Sequence, residues 1–567
     1  MTGRAVRPVG ERALLVGCAD LAEVLGLHAH LTASPLPGQV EVLAAARTVL
    51  VSVSDRPARD RLAPVLRKLE VTSAPPAAGD VVVIDTVYDG ADLATVAAHT
   101  GLSVEAVVAA HSGEEWTAAF GGFAPGFTYL VGPTTLTVPR RASPRTAVPA
   151  GAVALAGHFS AVYPRSSPGG WQLVGRTDAP MWDLDRQPPA LLRPGDRVRF
   201  RPVRERVAGR GADPGAATAP APESSAPAGP ADRTGTPARS DRGTDTAAGR
   251  AAGARFSDPT ASGAGSRPTS ALTVVTAGVQ SLVQDLGRPG LLDLGVSPSG
   301  AADRGSARQA NRLVGNDRAA AVVETVLGGL ELRATGHHVL AVSGAPVPLT
   351  LWHDGEELAH PPTDTPFLVP DGHVLRLGPP AVGLRAYVAV RGGVAVPLVL
   401  GSRSTDLLSG TGPPPLTAGN VLPVGPPPGS AVGQPEPARV RSGEELTVGV
   451  VLGPRADRVT AESLQRLLGQ AWTVTDRSNR VGLRLDGAPL ERVDDAELES
   501  EGTVAGAVQL PSDGRPVVFL ADHPVTGGYP VLAVVRDTDL DVLAQARPGD
   551  RLRFRDATSP CADAAQP

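Results

Sequence analysis

Two short stretches of the sequence combine residue types that can act on a small polar ligand. Gln284, Asp285 and Arg288 fall within one glycine-flanked loop, where an amide, a carboxylate and a guanidinium can converge on one molecule. Asp522 and His523 stand just ahead of Thr526-Gly527-Gly528-Tyr529. The acid can orient an attacking group or a metal-bound nucleotide, and the imidazole can carry protons near neutral pH; a histidine in a plain surface loop fits the same pattern. Asp285, Asp522 and His523 are therefore the candidates for catalysis. Paired glycines beside a ring let a ligand approach the backbone, and the arrangement recurs at Gly169-Gly170-Trp171, followed by Gln172. Phe123, Pro125, Gly126, Phe127 and Tyr129 are clustered in sequence, and their rings can either wall an apolar pocket or pack as core around a Pro-Gly turn.

Composition narrows the chemistry. The formal net charge is only -5 and no basic stripe stands out, which argues against a nucleic-acid partner. The first apolar segment, Ala13 to Val16, is too short for a signal sequence or a membrane span, so the expected location is the cytoplasm, away from membranes. Cys18 and Cys561 stand at opposite ends of the chain and support neither a disulfide framework nor a thiolate metal cluster. Lys68 is the only lysine, in the helical-surface context Leu62 to Glu70. A Walker A loop, a biotinyl acceptor or a Schiff base would each need a lysine elsewhere. Gly295-Val-Ser297-Pro-Ser299 lacks the final glycine of a nucleophile elbow, and neither HExxH nor a strand-to-helix GxGxxG occurs.

These residues need a scaffold, and 567 residues exceed one core several-fold. From Gly209 to about Thr269 the chain has almost no large apolar residue and reads as a disordered linker of Ala, Pro and Gly. Ahead of it come a strand at Ala13 to Val16, a helix through Ala19 to Leu31, a strand at Thr48 to Val53 and a helix from Pro57 to Leu69, a small α/β unit. A strand at Val81 to Tyr88 and two helical runs, Asp92 to His99 and Ser103 to Ser112, follow. From Phe120 onward Gly and Pro punctuate short apolar runs, the pattern of a β-barrel or sandwich. The organisation expected is a small α/β domain at 1–80, a barrel at 81–207, the linker at 208–269, barrels at 270–430 and 431–557, and a disordered tail at 558–567.

Three blocks repeat in order in the two halves. Ala150-Gly-Ala-Val-Ala-Leu155 matches Ala505-Gly-Ala-Val-Gln-Leu510, Pro168-Gly-Gly-Trp171 matches Thr526-Gly-Gly-Tyr529, and Arg193-Pro-Gly-Asp-Arg-Val-Arg-Phe200 matches Arg547-Pro-Gly-Asp-Arg-Leu-Arg-Phe554. Similar spacing between the blocks implies that related barrels end both halves. The Pro-Gly-Asp segment reads as a turn that starts a closing strand.

Longer runs carry a family resemblance. Gly122-Phe-Ala-Pro-Gly-Phe-Thr-Tyr-Leu130, Pro144-Arg-Thr-Ala-Val-Pro-Ala-Gly151 and Tyr163-Pro-Arg-Ser-Ser-Pro-Gly-Gly-Trp-Gln-Leu-Val-Gly-Arg-Thr177 resemble the allophanate hydrolase subunit 1 family, also known as the B component of 5-oxoprolinase or KipI. Thr276 to Gly290, Ala310 to Asn316, Arg391 to Gly393, Gly401 to Thr405, Ser478 to Gly482 and Asp522 to Pro530 resemble the allophanate hydrolase subunit 2 family, the C component of 5-oxoprolinase or KipA. The likeness covers nearly all of the chain outside linker and tail. It implies a mainly β protein with cyclophilin-like β-barrels, one after the N-terminal α/β unit and a tandem pair in the C-terminal half, and a composite site where the halves meet.

Three activities are compatible with that resemblance. One is a component of an ATP-dependent 5-oxoprolinase, using ATP with magnesium beside a separate LamB/YcsF-type subunit. Another is the carboxyltransferase region of urea amidolyase, with biotin supplied on another chain. The third is a regulator that inhibits a histidine kinase. Opening the stable lactam of 5-oxoproline requires activation of its amide, most simply by phosphorylation of the oxygen, so the site meets negative charge twice, which suits arginine. Arg145, Arg176, Arg288 and Arg480 lie inside the family motifs and either grip an anion or pin a loop. Ser478 and Asn479 belong to the same implied binding set, and Gln509, in the second copy of the first repeat block, is counted with them. Two departures stand out. Phe159 occupies the place of the family's amide before Tyr-Pro, with His158 the nearby side chain that could substitute, and Gly410 to Asn420 lacks the usual Gly-Arg and Gly-Asp. The sequence does not choose between a monomer and a homo-oligomer.

Overall fold

The computed structural model describes residues 4–71, 81–132, 136–141, 143, 145–204, 269–439, 445–494 and 498–557. Nearly all of the expected linker, 208–269, and the whole tail, 558–567, lie outside these residues.

The first unit is a four-stranded antiparallel sheet in the order Val6–Pro8, Ala13–Gly17, Thr48–Val53, Gln39–Ala44, with helices Leu21–Ala33 and Arg56–Lys68. Asp20 and Asp55 cap the helices by accepting from the backbone N–H of Glu23 and Ala58 at 2.9 and 2.7 Å. Strand alternation gives the sheet two buried faces: Leu14, Val16, Val49 and Val51 pack under Val24, Leu27 and Leu62, while Ala13, Leu15, Leu43 and Leu50 point the other way. The strands Val6–Pro8 and Gln39–Ala44 escape the sequence reading, the first because of its length and the second because Glu41 interrupts its apolar run.

Next comes a seven-stranded sheet whose final strand, Arg197–Pro202, runs parallel to its first, Val82–Thr86. It is almost closed: Val87 and Arg176, at the two edges, exchange backbone hydrogen bonds of 2.9 and 2.8 Å. Ile84, Trp116, Leu130, Leu155, Val174 and Phe200 fill the interior. The C-terminal half opens with six- and five-stranded sheets that share one core around Leu272, Val283, Val323, Leu340 and Leu375. It ends in a closed seven-stranded barrel packed around Trp472, Leu532 and Phe554.

The sequence repeat is a structural repeat. Asp196 and Asp550 each accept from the backbone N–H three residues back, at 2.7 and 2.8 Å, and Gly195 and Gly549 take positive φ of 96° and 93° in the same turn. Each turn launches a closing strand. Trp116 and Trp472 also correspond, donating to the carbonyls of His111 and Leu467 at 3.0 and 3.1 Å to tie a helix over the barrel end.

The second face of the N-terminal sheet finds its cover in the other half of the chain. Val9, Leu15, Leu43 and Leu50 pack against Leu292, Phe519, Val525, Val531 and Val534. Each such side chain contributes about 1.5–3 kcal/mol on burial, enough together to exceed the roughly 4–15 kcal/mol that association costs. Polar links join in: Glu41 accepts from Gly290 N at 2.9 Å, and His28 Nε2 meets Asp293 Oδ1 at 2.8 Å. Residues 1–208 and 269–567, co-expressed as separate chains, should therefore elute from gel filtration as one species. Clean separation at micromolar concentration would remove the basis for a shared site.

Candidate functional site

Ordered motifs from both halves meet at a buried polar junction. At its base the two C-terminal units are bolted together by Arg480, which is 1% exposed. Its guanidinium donates to both oxygens of Asp522 at 2.8 and 2.9 Å, to Glu324 Oε1 at 2.6 Å and to the Gly300 carbonyl at 2.6 Å. Complete burial opposes its charge, but the two carboxylates more than offset that cost and hold Arg480 firmly protonated. Asp522 also accepts from Ser299 Oγ at 2.6 Å and Leu407 N at 3.0 Å. Both of its oxygens are thus engaged within the protein, and the metal-holding or activating role expected of Asp522 gives way to an architectural one. Glu324, which the sequence reading missed, is the other anchor; it also accepts from Tyr387 Oη at 2.9 Å and Ala302 N at 2.9 Å. Its signal was present: a lone carboxylate inside the apolar strand Val322–Val326.

The Gln284 to Arg288 loop lies beside this bolt. Asp285 accepts from Ser402 Oγ and Ser404 Oγ, both at 2.6 Å, from Arg403 N at 2.6 Å and from Gly287 N at 2.8 Å. A carboxylate so occupied pins the Ser402–Thr405 segment, and this corrects the expectation that Asp285 acts directly in catalysis. Arg288 is different. It is 2% exposed, donates through Nη2 to the Ser404 carbonyl, and leaves Nε and Nη1 buried without a partner. Burial weakens its hold on the proton, partly offset by Asp406, Asp285 and Asp522 nearby. Gln284 donates to the Thr405 carbonyl at 2.8 Å and leaves its own Oε1 unpartnered. An acceptor and two donors without a protein partner thus lie within one loop.

The N-terminal half closes the junction. Its turn at Gly122 is so close to Thr526 that a Cβ there would stand 2.1 Å from Thr526 Oγ1, and Gly295 packs tightly on the Ala124 carbonyl. Phe123 in this turn and Ser299 at the bolt both hold positive φ, 62° and 52°, without being glycine, strain of the kind that collects at functional sites. Arg165, from the Tyr163-Pro-Arg165 run, faces Asp406 of the other half; burial depresses its basicity, and its Nε has no partner. Arg165 and Asp406 are the further residues that sequence reasoning passed over, although Arg165 lies inside a quoted motif and Asp406 adjoins another.

His523 is 4% exposed and stacks on Phe519 at 5.7 Å. Burial keeps it neutral, and its Nδ1 lies 2.9 Å from the Pro524 carbonyl. That carbonyl requires Nδ1 to carry the proton, which leaves Nε2 as the acceptor. His523 is thus buried and lines a cavity of about 450 Å³ between the N-terminal unit and both C-terminal units.

Other expected residues serve the scaffold. Arg145 clamps Asp92 at 2.8 Å, and Arg176 pairs with Asp89 at 2.8 Å. Ser478 and Asn479 shape an exposed turn, where Asn479 Oδ1 accepts from Val481 N at 2.8 Å. Phe123, Tyr129 and Trp171 join Phe120, Phe127 and Tyr163 in one ring cluster with centroid separations of 4.3–6.4 Å. Phe159, in the place of the family amide, completes that cluster edge-on to Tyr129, and His158 lies against it at 4.0 Å. Pro125 and Gly126 are buried in the strand Ala124–Val131, with Gly126 against the Met181 carbonyl. Gly169 leaves room for the Tyr163 hydroxyl, Gly170 accepts from Arg141 N at 2.8 Å, and Gln172 donates to the Pro139 carbonyl at 3.1 Å. Near the junction, Gln509 spans to the Tyr529 carbonyl at 3.3 Å under Gly527, and Gly528 faces the Leu498 carbonyl. The Tyr529 ring is 47% exposed.

Asp406 reports on the junction's electrostatics. Burial and the neighbouring Asp522 raise its pKa from 3.8 to about 6. A carboxyl raised in this way favours the folded state below its unfolded pKa, and that contribution is lost as pH rises through about 6. Asp406→Asn should therefore unfold at a higher temperature than the wild type at pH 7.5, with the gap closing toward pH 4. An unchanged gap across that range would show that Asp406 is not the titrating group.

Among the described residues, no single helix is long and apolar enough to cross a membrane. Residues 4–192 match the carboxyltransferase domain, subdomain C and D, and residues 294–556 match its subdomain A and B. The C component of 5-oxoprolinase from Escherichia coli K12 is 34% identical over 291 residues, 50% of this chain and 90% of the relative. The B component of 5-oxoprolinase from Escherichia coli O157:H7 is 46% identical over 164 residues, 28% of this chain and 75% of the relative. The urea amidolyase of Lachancea kluyveri is 33% identical over 311 residues, but the chain spans only 17% of that protein. The crystal structure of TTHA0988 superposes with a TM-score of 0.76 at 33% identity, covering 96% of this chain and 99% of the other, so the same two-half arrangement exists in another protein. The chain thus belongs to the carboxyltransferase-domain family, with a half of the 5-oxoprolinase B type joined to a half of the 5-oxoprolinase C type in a single polypeptide.

Proposed function

We propose that this protein is the substrate-activating component of an ATP-dependent 5-oxoprolinase and works with a separate LamB/YcsF-type subunit that completes ring opening to glutamate. The observation that carries this reading is Arg288, a buried guanidinium with two unpartnered N–H groups at a junction built by both halves. A buried cation in this state is costly unless a ligand anion completes it, and a lactam with a carboxylate offers that anion. The separate likeness of the two halves to proteins named as the B and C components of 5-oxoprolinase supports the same reading.

In this reading Arg288 grips the substrate carboxylate side-on through Nε and Nη1, and Arg165 adds positive charge from the N-terminal half. Gln284 Oε1 accepts from the lactam N–H and fixes the ring's orientation. The Gly122–Phe123 turn and the ring cluster behind it exclude water. His523 lines the adjoining cavity, neutral and with Nε2 unprotonated, where it can take up the lactam N–H proton that phosphorylation of the lactam oxygen releases. ATP with magnesium, when bound, supplies the phosphoryl group that activates that oxygen. Arginines rather than a lysine loop would meet the phosphates, and magnesium would come with the nucleotide.

The purified chain alone should not convert 5-oxoproline to glutamate. Adding a LamB/YcsF-type protein, ATP and magnesium should give glutamate and ADP, with avidin without effect. Urea-dependent consumption of carboxybiotin would favour instead the carboxyltransferase reading, for which the urea amidolyase likeness speaks. Tight binding to a histidine kinase without turnover in either assay would favour a regulator.

A further inference from the structure

The 450 Å³ cavity beside the junction contains two cations that no described acid neutralises by direct pairing. Arg304 and Arg308 sit one turn apart on the helix Arg304–Leu313, and both line the cavity. Among the described residues neither has an acid within ion-pair distance; Arg304 makes a single hydrogen bond, to the Ser299 carbonyl at 3.2 Å, and Arg308 makes none. Burial and repulsion from Arg308 weaken Arg304 as a base, partly offset by Asp541 and Asp537, which act on it without pairing directly. Both stand in the first half of the helix, where the dipole opposes positive charge, so local structure gives no reason for the pair.

The acids on the same wall are already committed. Asp537 pairs with Arg12, Glu11 with Arg536, and Asp541 with Arg439 and the Gly305 N–H. Glu41 is held by the amides of Gly290 and Leu292, and its charged neighbour is Asp293 rather than an arginine. A ligand here must then be strongly anionic at the arginine end and uncharged where it meets Glu41. The rest of the lining includes Val40, Leu286, Leu292, Val504 and Leu540, which suits an apolar ring. Volume points the same way. Pockets of about 300–1,000 Å³ enclose drug-sized molecules, and a small lactam would leave most of this one empty.

We propose that this cavity binds the nucleotide, with Arg304 and Arg308 gripping the polyphosphate and the base lying against the apolar wall toward Glu41. The proposal rests on the ATP-dependent reading above and gives it a location. Arg304 is tied to Ser299, whose hydroxyl bonds Asp522 at the junction, and Arg288 N donates to the Pro298 carbonyl at 2.8 Å. The Ser297–Gly300 segment therefore links the phosphate end to Arg288.

Calorimetry with the full chain and Mg-ATP tests this without any partner protein. Arg308→Ala removes a side chain with no internal bonds, so its thermal midpoint should stay at the wild-type value while ATP affinity falls at least tenfold. Arg304→Ala should do the same, and inorganic triphosphate should compete with ATP in the wild type only. If ATP binds both variants as tightly as the wild type, the site is wrong, and glutamate formation with the LamB/YcsF-type partner would show that the reading of function survives. If the wild type binds glutamate but not ATP in an Arg308-dependent manner, the ligand class is wrong. If it binds neither and the coupled assay is also silent, both proposals fall.

Discussion

Arg288→Met is expected to abolish coupled turnover of 5-oxoproline while leaving the thermal midpoint within a few degrees of the wild type. The two effects have one cause. In the free protein Arg288 is a buried charge with Nε and Nη1 unpartnered, an arrangement that lowers stability. Methionine of similar length removes that cost and gives up one bond from the charged group, to the Ser404 carbonyl, worth about 1.5–3 kcal/mol, so the two largely offset. In the complex the same two N–H groups would make charge-assisted bonds of roughly 1.5–3 kcal/mol each, so kcat/KM should fall by about two to four orders of magnitude. Arg288→Lys should not rescue it, because a point charge cannot reproduce the planar fork. A variant that precipitates would make Arg288 a scaffold residue, and one that turns over normally would place the carboxylate elsewhere. Asp285→Asn should behave in the opposite way: with four hydrogen bonds converging on its carboxylate, its first effect should be on stability.

That contrast shows what the sequence could disclose. Local patterns were legible where the chain's own chemistry decides the outcome. The Arg-Pro-Gly-Asp segments fold as turns because aspartate and glycine close them without help from afar, and the helices begin where Asp20 and Asp55 cap them. The Gln284 to Arg288 loop was visible as a place where polar groups gather. Which of its members is free was not, because that depends on partners remote in sequence: Ser402 and Ser404 saturate Asp285, and Arg480 likewise occupies Asp522. Arginines in motifs looked alike in sequence, yet Arg145 and Arg176 are neutralised by Asp92 and Asp89 while Arg288 is not. Phe123, Tyr129 and Trp171 could wall a pocket or build a core; packing of the rings on one another decided for the core. The strand Gln39–Ala44 was hidden by Glu41, whose polarity makes sense only once Gly290 and Leu292 of the other half are seen to need an acceptor.

Arg480→Met should be the most destabilising single change in the C-terminal half. Removing the guanidinium strands Glu324 and Asp522, 1% and 0% exposed, opposite each other with no cation bonded to Asp522 and only Arg385, 3.6 Å away, near Glu324. Breaking a buried pair from one side costs about 3–5 kcal/mol, and at about 2–4 °C per kcal/mol for a unit of this size the midpoint should fall on the order of 10 °C. The pH dependence separates this cause from simple loss of packing. Stranded carboxyls have folded pKa values raised above their unfolded ones, so the folded variant gains protons as pH falls, and its deficit should shrink between pH 8 and pH 5. Combining Arg480→Met with Glu324→Gln and Asp522→Asn should recover much of the stability at pH 7.5, because neutral amides no longer need the cation. A deficit that is the same at pH 5 and pH 8, and that the triple variant does not reduce, would mean that Arg480 holds the two C-terminal units together by shape and not by charge.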